Sequence, residues 1–420
     1  MTTFTVSFCG TGCTRDEGEQ TRQWKSKIWQ FWKEDTYTKS DARIYNPKTG
    51  YIPVRIHKDI SSVLTNTTKS ASVRGVGEND WFDQTKTSDL LLTQPNNHLL
   101  TPPSDLLDYV KSYTSGNQRT STGQIIGWSA TALALHGANL AVDSGASQLN
   151  FIGHSRGAME AIMAAWFIYA YGDESVKNIP INIFAIDPVP GPGEWYSILT
   201  QLPPNVASYV GVYAWDHLDS GFSALVPRPN SAMTGEKKEI KLGTSWKTLA
   251  DDYQLKDPLE EGPIRTLANY KLYACRGKHS TVAGNVTKDA GYNFDNVEVT
   301  EQYLKPEVPA VPELVYRLAR SYLTQWGTVF NAPSGVDTGL QALRQHIHTH
   351  HRYFDAMGEG ETRTSSIPNR QKVRRVSSIS GRNPVQKYYI DDVAGDPPYE
   401  LAYPVTYERK KAGWVKWDFL

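Results

Sequence analysis

The segment that most constrains the fold is "LNFIGHSRGAMEAIMAAWF", Leu149 to Phe167. A short apolar strand runs into a turn holding a serine between two glycines, and an apolar helix follows. Gly153-His154-Ser155-Arg156-Gly157 matches the pattern G-x-S-x-G. In that pattern the serine takes strained backbone angles, so its oxygen stands clear of a sheet. The small flanking residues let strand and helix approach closely. An ordinary serine where a strand becomes a helix is the alternative reading. Under both readings a strand feeds directly into a helix, which is the repeating unit of an α/β protein.

The rest of the chain repeats this logic. "TFTVSF" (Thr3 to Phe8) alternates apolar and polar residues and stops at a Gly-Thr-Gly turn. "INIFAIDPVPGPG", "VASYVGVYAWDH" and "YKLYACRGKH" read as further strands, and "TGQIIGWSATALALHGANLAVDSG" carries helical spacing. The expected architecture is α/β, a mainly parallel sheet with helices on both faces and long loop insertions. Residues 1–330 are expected to form this domain, with about 14–121 a largely loop-rich insertion around one or more core elements. "KPEVPAVP" (Lys305 to Pro312) reads as a stiff spacer before the amphipathic helix "ELVYRLARSYLTQWG". In residues 331–420, "TRTSSIPNRQKVRRVSSISGRNP" reads as an exposed, flexible arm, and the aromatic end "YPVTYERKKAGWVKWDFL" as docking on the core.

Bulk charge narrows the partners. Lys plus Arg and Asp plus Glu are 44 each, which gives no reason to expect nucleic acid. No apolar run is long enough for a transmembrane segment, and the N-terminus lacks a signal-peptide pattern. Synthesis in the cytoplasm is the expectation, in keeping with only three cysteines, Cys9, Cys13 and Cys275.

A serine nucleophile at Ser155 needs a base. His279, in the Gly-rich loop "ACRGKHSTVAGN", follows a strand and comes after the serine, as in the chain order Ser, acid, His. The competing view is a loop histidine that only caps a turn. Asp187, ending the strand in "FAIDPVPG", is the first choice of acid; Asp216, with Asp219 close behind it in "YAWDHLDSGF", is the alternative. An oxyanion hole would use the amide of Arg156 and a second amide from the "CGTGC" turn, at Gly10 or Thr11. His154 should point sideways and serve packing. "HIHTHH" (His346 to His351) invites a metal, but its spacing does not gather ligands around one ion, so a solvated face is expected. The "GVGENDWFD" loop is read as turns. No metal and no cofactor is expected.

Taken in order, these segments resemble the α/β-hydrolase family whose members include type VI secretion lipase effectors. "FCGTGCTRDEG" is similar to that family's opening D-G-T-G-like turn, "VRGVGEND" to its G-V-G loop, and "GHSRGA" to its G-[FH]-S-R-G-A nucleophile motif. "FAIDPVPG", "YAWDHLDSGFSALVP", "CRGKHSTVAGN" and "ELVYRLARSYL" follow in matching order over roughly residues 1 to 330. The resemblance implies Ser155 as nucleophile, His279 as base and Asp187 as acid. It further implies a phospholipase acting as an antibacterial effector, with a membrane phospholipid substrate, an immunity protein and a secretion-apparatus delivery protein as partners. Delivery would be by the type VI route into a target cell's periplasm. A soluble-ester, amide or peptide hydrolase, and a non-catalytic hydrolase-like interaction module, are the rival readings. If the strand ends lie side by side, a bond from Cys275 to Cys9 or Cys13 could form after delivery to an oxidising periplasm.

Overall fold

The computed structural model describes residues 2–14, 18–19, 22–25, 34–37, 51–60, 69–76, 99–114, 126–127, 129–191, 196–217, 222–230, 233, 245–251, 267–284, 307–331, 339–352, 354, 374–377, 388–395, 397–400 and 416–420. Asp219, most of the "GVGENDWFD" loop and much of the 331–420 region lie outside them.

The apolar runs become strands buried on both sides, as parallel sheets require. They are β1 (Thr3–Phe8), β2 (Ser70–Val73), β3 (Gln148–His154), β4 (Ile181–Ile186), β5 (Val206–Ala214), β6 (Tyr270–Cys275) and β7 (Trp417–Phe419). All seven pair in parallel, in the order β7-β6-β5-β4-β3-β1-β2. The chain is therefore an α/β protein. Its strand order reverses between β1 and β3, and crevices that bind ligands open at the carboxyl ends of strands at such a point.

Alternate side chains build two cores. Phe4, Val6, Phe8, Phe151, Ile183 and Tyr209 face one side, which α3 (Ala130–Asp143) and α4 (Arg156–Tyr171) cover. Ile152, Phe184, Ile186, Val210 and Val212 face the other, under α1 (Ile52–Ile60) and α6 (Glu307–Gln325). The 14–121 stretch thus supplies α1, the edge strand β2 and α2 (Ser104–Thr114), and a short α5 (Trp246–Asp251) lies between β5 and β6 in the chain. The spacer expected at Lys305–Pro312 is instead largely helix. Pro309 falls in the first turn of α6, where a missing amide costs least, and Pro312 lies inside the helix.

On the α1/α6 side three polar residues sit side by side in register, Thr5 opposite Asn150 and Asn150 opposite Asn182. Asn182 Nδ2 donates to Asn150 Oδ1 (2.9 Å), and Asn150 Nδ2 donates to Thr328 Oγ1 (2.8 Å) and to the Trp326 carbonyl (3.1 Å). Thr5 and Thr328 share a hydroxyl contact of 3.0 Å, so every member of this buried row is partnered.

The C-terminal region returns to the body twice. β7 extends the sheet beside β6, and Arg375–Ser377 joins Ala224–Leu225 and Tyr388–Tyr389 in a small second sheet. Within the expected flexible arm, Arg375–Ser377 is thus a paired strand, with Arg374 and Val376 buried. A charged-looking sequence hides this because the Arg374 guanidinium finds its acceptors only in the tertiary fold. No helix among the described residues is long and apolar enough to cross a membrane.

The conditional cysteine bond fails on strand order. β3, β4 and β5 stand between β1, which ends in the Cys9–Cys13 turn, and β6, which ends at Cys275. Four strand steps of about 4.8 Å put them roughly 19 Å apart, far beyond disulfide reach. All three cysteines are buried and none is in a disulfide, and burial pushes the Cys275 thiol far above its ordinary pKa.

Candidate active site

Ser155 sits on a sharp turn between β3 and α4 with φ 58° and ψ −127°. Glycine adopts such angles freely; other residues do so at a cost. A serine at a strand–helix junction ordinarily caps the helix with its hydroxyl, yet Ser155 makes no capping bond. The strain therefore does not serve the helix end. Its flanking glycines are sterically required: a Cβ on Gly153 would lie 2.4 Å from the Gly157 carbonyl oxygen, and one on Gly157 would lie 2.4 Å from that of Phe8. Gly157→Ala is expected to lower unfolding free energy by about 3 kcal/mol in a urea titration, since the clash is with backbone and no side chain can yield.

Among the described residues, one other non-glycine residue has positive φ, and it is Asp187 at 46°. It follows β4, next to β3, and the Ser155 amide donates to the carbonyl of Ile186 immediately before it (3.0 Å). Asp187 Oδ2 accepts a 2.5 Å hydrogen bond from His279 Nδ1. An ionised carboxylate only accepts, so Nδ1 carries the proton and the neutral ring keeps its lone pair at Nε2. The second carboxylate oxygen, Oδ1, accepts from the Ala214 amide at 3.0 Å and from Arg374 Nη1. Burial alone would raise the Asp187 pKa. The Arg374 charge, followed by the His279 hydrogen bond and charge and the Arg374 hydrogen bond, overcomes it and holds the group well below the usual carboxylate range.

His279 is held at both backbone groups. Its amide donates to His217 Nδ1 (3.4 Å), and its carbonyl accepts from His154 Nε2 (3.0 Å). The rings of His154 and His279 lie 4.5 Å apart, centre to centre. With Nε2 protonated, His154 accepts at Nδ1 from the Tyr51 hydroxyl (3.0 Å), which in turn accepts from the Gly10 amide (2.6 Å). Tyr51 stays a phenol, its pKa pushed far up by burial and then by Cys13 and Cys9 nearby. Burial, then the charges of Arg374 and His279, keep His217 well below the usual histidine pKa. His154 is thus more than sideways packing: it ties the His279 loop to the first turn.

That chain corrects the oxyanion assignment at Gly10, whose N–H is committed to Tyr51. The Thr11 amide makes no hydrogen bond among the described residues and stands in the same turn. Arg156 opens α4, where leading amides lack intrahelical acceptors. Its guanidinium donates to the Pro190 carbonyl (2.9 Å) and to Thr11 Oγ1 (2.9 Å), clamping the turns after β1 and β4 across the serine.

Asp216, the alternative acid, is spent elsewhere. Arg276 binds it through Nε (3.0 Å) and Nη2 (2.8 Å), the Gly277 amide adds a 2.6 Å bond, and both side chains are fully buried. Asp216→Asn leaves a buried guanidinium without its counter-charge. A loss of about 3–5 kcal/mol in denaturant stability is expected.

The histidine run spans the end of α7 (Leu340–Thr349) and the residues after it, and its histidines are half-buried, engaged in contacts as well as facing solvent. His348 Nε2 bonds the Leu420 carbonyl (2.9 Å), His350 Nδ1 bonds that of His346 (2.8 Å), and His351 stacks on Tyr399. No group of metal-binding residues occurs among the described residues.

Sequence reasoning missed Tyr51, His217 and Arg374. The first two lie in segments that were quoted or bounded without a role, and Arg374 lies 187 residues from the carboxylate it binds. No protein-family model and no curated protein matches the chain. A solved structure described as an uncharacterized protein from Pseudomonas aeruginosa aligns with 87% of the chain at 12% identity and a TM-score of 0.37; the chain spans 51% of that protein's length.

Proposed function

We propose that the chain is a serine hydrolase that cleaves carboxylic esters through an acyl-enzyme. The observation that carries this reading is the 2.5 Å bond from His279 to Asp187, at the strand end beside a strained serine. In this chemistry His279 Nε2 takes the Ser155 proton as the hydroxyl attacks the carbonyl carbon, then gives it to the leaving alcohol. Water repeats the sequence on the acyl-serine. Asp187 fixes the histidine tautomer and stabilises the imidazolium. In this reading the Arg156 and Thr11 amides receive the oxyanion.

For substrate, the resemblance to type VI lipase effectors favours a glycerophospholipid, and with it an antibacterial effector delivered to a periplasm and restrained by an immunity protein. A fluorophosphonate probe should form a stoichiometric adduct on Ser155, and the enzyme should release fatty acid from phospholipid vesicles. A folded sample without the adduct overturns the serine-hydrolase reading. Turnover of short nitrophenyl esters with intact vesicles keeps the chemistry and removes the lipid.

A further inference from the structure

The group closest to the Asp187–His279 pair that the reaction does not itself use is Arg374. Its side chain is 1% exposed, and it comes from the C-terminal region, not from the sheet. Nη1 bonds Asp187 Oδ1 and also donates to the Ala214 carbonyl (2.8 Å), while Nη2 donates to the Phe222 carbonyl (3.0 Å). The backbone on either side is fixed. The Arg374 carbonyl accepts from the Ile390 amide (2.7 Å), and the next residues pair with Ala224–Leu225, Val376 opposite Ala224. Phe222 begins that same segment, and its ring packs edge-on against His279 at 5.0 Å and against His217 at 4.7 Å. One guanidinium therefore joins the acid, the end of β5 and the aromatic wall beside the base.

We propose that Arg374 is a positioning residue of the hydrolytic site, through which the C-terminal region sets the orientation of Asp187 and closes the Phe222 wall over His279. The inference rests on the serine-hydrolase reading. A carboxylate has two oxygens and rotates about its last bond; Arg374 and the Ala214 amide hold Oδ1, which leaves Oδ2 aimed at Nδ1. The guanidinium also offsets the carboxylate charge, so the imidazolium is stabilised less than by Asp187 alone. The other ionisable groups around His279 are His154 from β3, His217 after β5 and Lys278 in its own loop.

The test is a pH profile of ester hydrolysis by wild type, Arg374→Met and Arg374→Lys, with rates expressed per serine labelled by the fluorophosphonate. Counting labelled sites separates catalysis from loss of folded protein. Arg374→Met should lower kcat about 10²-fold with little change in KM, as expected for a misplaced catalytic pair. Its kcat/KM should also need higher pH to rise, because neutral His279 is the active form and loss of the cation favours the imidazolium. The acid-limb midpoint should move up by about one pH unit. Arg374→Lys should return that midpoint to the wild-type value while recovering only part of kcat, since one ammonium cannot replace the fork.

Wild-type kcat and midpoint per labelled site in Arg374→Met would overturn the inference and leave the hydrolase reading intact. So would a fall in kcat with no shift in midpoint and no recovery in Arg374→Lys, the mark of a purely structural arm. Wild-type protein that fails to label removes the hydrolase reading and this inference with it.

Discussion

Ser155→Ala is expected to lower turnover of an activated ester by roughly 10⁶-fold, which removes measurable hydrolysis. The size follows from the loss of the only atom that can bond the acyl group. What remains is the rate at which water, assisted by His279 and the oxyanion donors, attacks a bound ester. Steady-state assay at high enzyme concentration, with mass spectrometry to show that no adduct forms, measures it. Residual activity within tenfold of wild type would place the nucleophile elsewhere. Stability gives a second readout. At φ 58° alanine is no more comfortable than serine, so the alanine variant should unfold near the wild-type midpoint. Ser155→Gly, equally inactive, should be stabilised by about 1 kcal/mol, because glycine takes those angles without strain. That comparison measures what the fold gives up to raise the hydroxyl.

Asp187→Asn should lower kcat by about 10⁴-fold. The amide can turn an N–H towards His279 Nδ1, which forces the ring into the tautomer that presents Nε2–H and not a lone pair to the serine. The substitution also strands Arg374 as a buried cation, which adds a stability loss of about 3–5 kcal/mol. The double variant Asp187→Asn/Arg374→Met should recover stability and none of the rate, which separates the two effects. The depressed Asp187 pKa has a further consequence. Its contribution to stability is complete above the ordinary carboxylate value and is lost as pH falls below it towards the folded-state value. Acid unfolding curves of the double variant should therefore show a shallower loss in that range than wild type.

The parts of the site legible in the sequence are those whose signals are local. Ser155 announces itself through glycines that must be small because backbone passes at 2.4 Å, and through the strand and helix on either side. Asp187 directly follows an apolar strand, and His279 lies in the Gly-rich loop just after another. What stayed hidden was set by strand order and by distant contacts. The sequence of strands does not reveal that three of them separate Cys9 from Cys275. "RRVSS" looks like solvated chain because nothing near it in sequence shows that Asp187 pairs with Arg374. Asp216 and Asp187 occupy equivalent strand ends, and what separates them is Arg276, which claims the former, and His279, which binds the latter. Gly10 looked available as an amide donor because Tyr51, 41 residues away, gives no local hint that its hydroxyl accepts that bond.

The buried polar row across the lower sheet works as a ruler. Thr5, Asn150 and Asn182 each stand five residues before a residue of the turns that frame the site: Gly10, Ser155 and Asp187. At about 3.3 Å per residue, the row and the site are roughly 16 Å apart on every one of the three strands. A slip of one strand by one residue would turn its amide into the apolar layer under α3 and α4 and orphan its neighbour's hydrogen bonds. It would also move one strand end by about 3.3 Å, more than the whole length of the His279–Asp187 bond. The alignment of the strand ends that carry the candidate site is thus calibrated at the opposite end of the sheet, by a row of residues roughly 16 Å away.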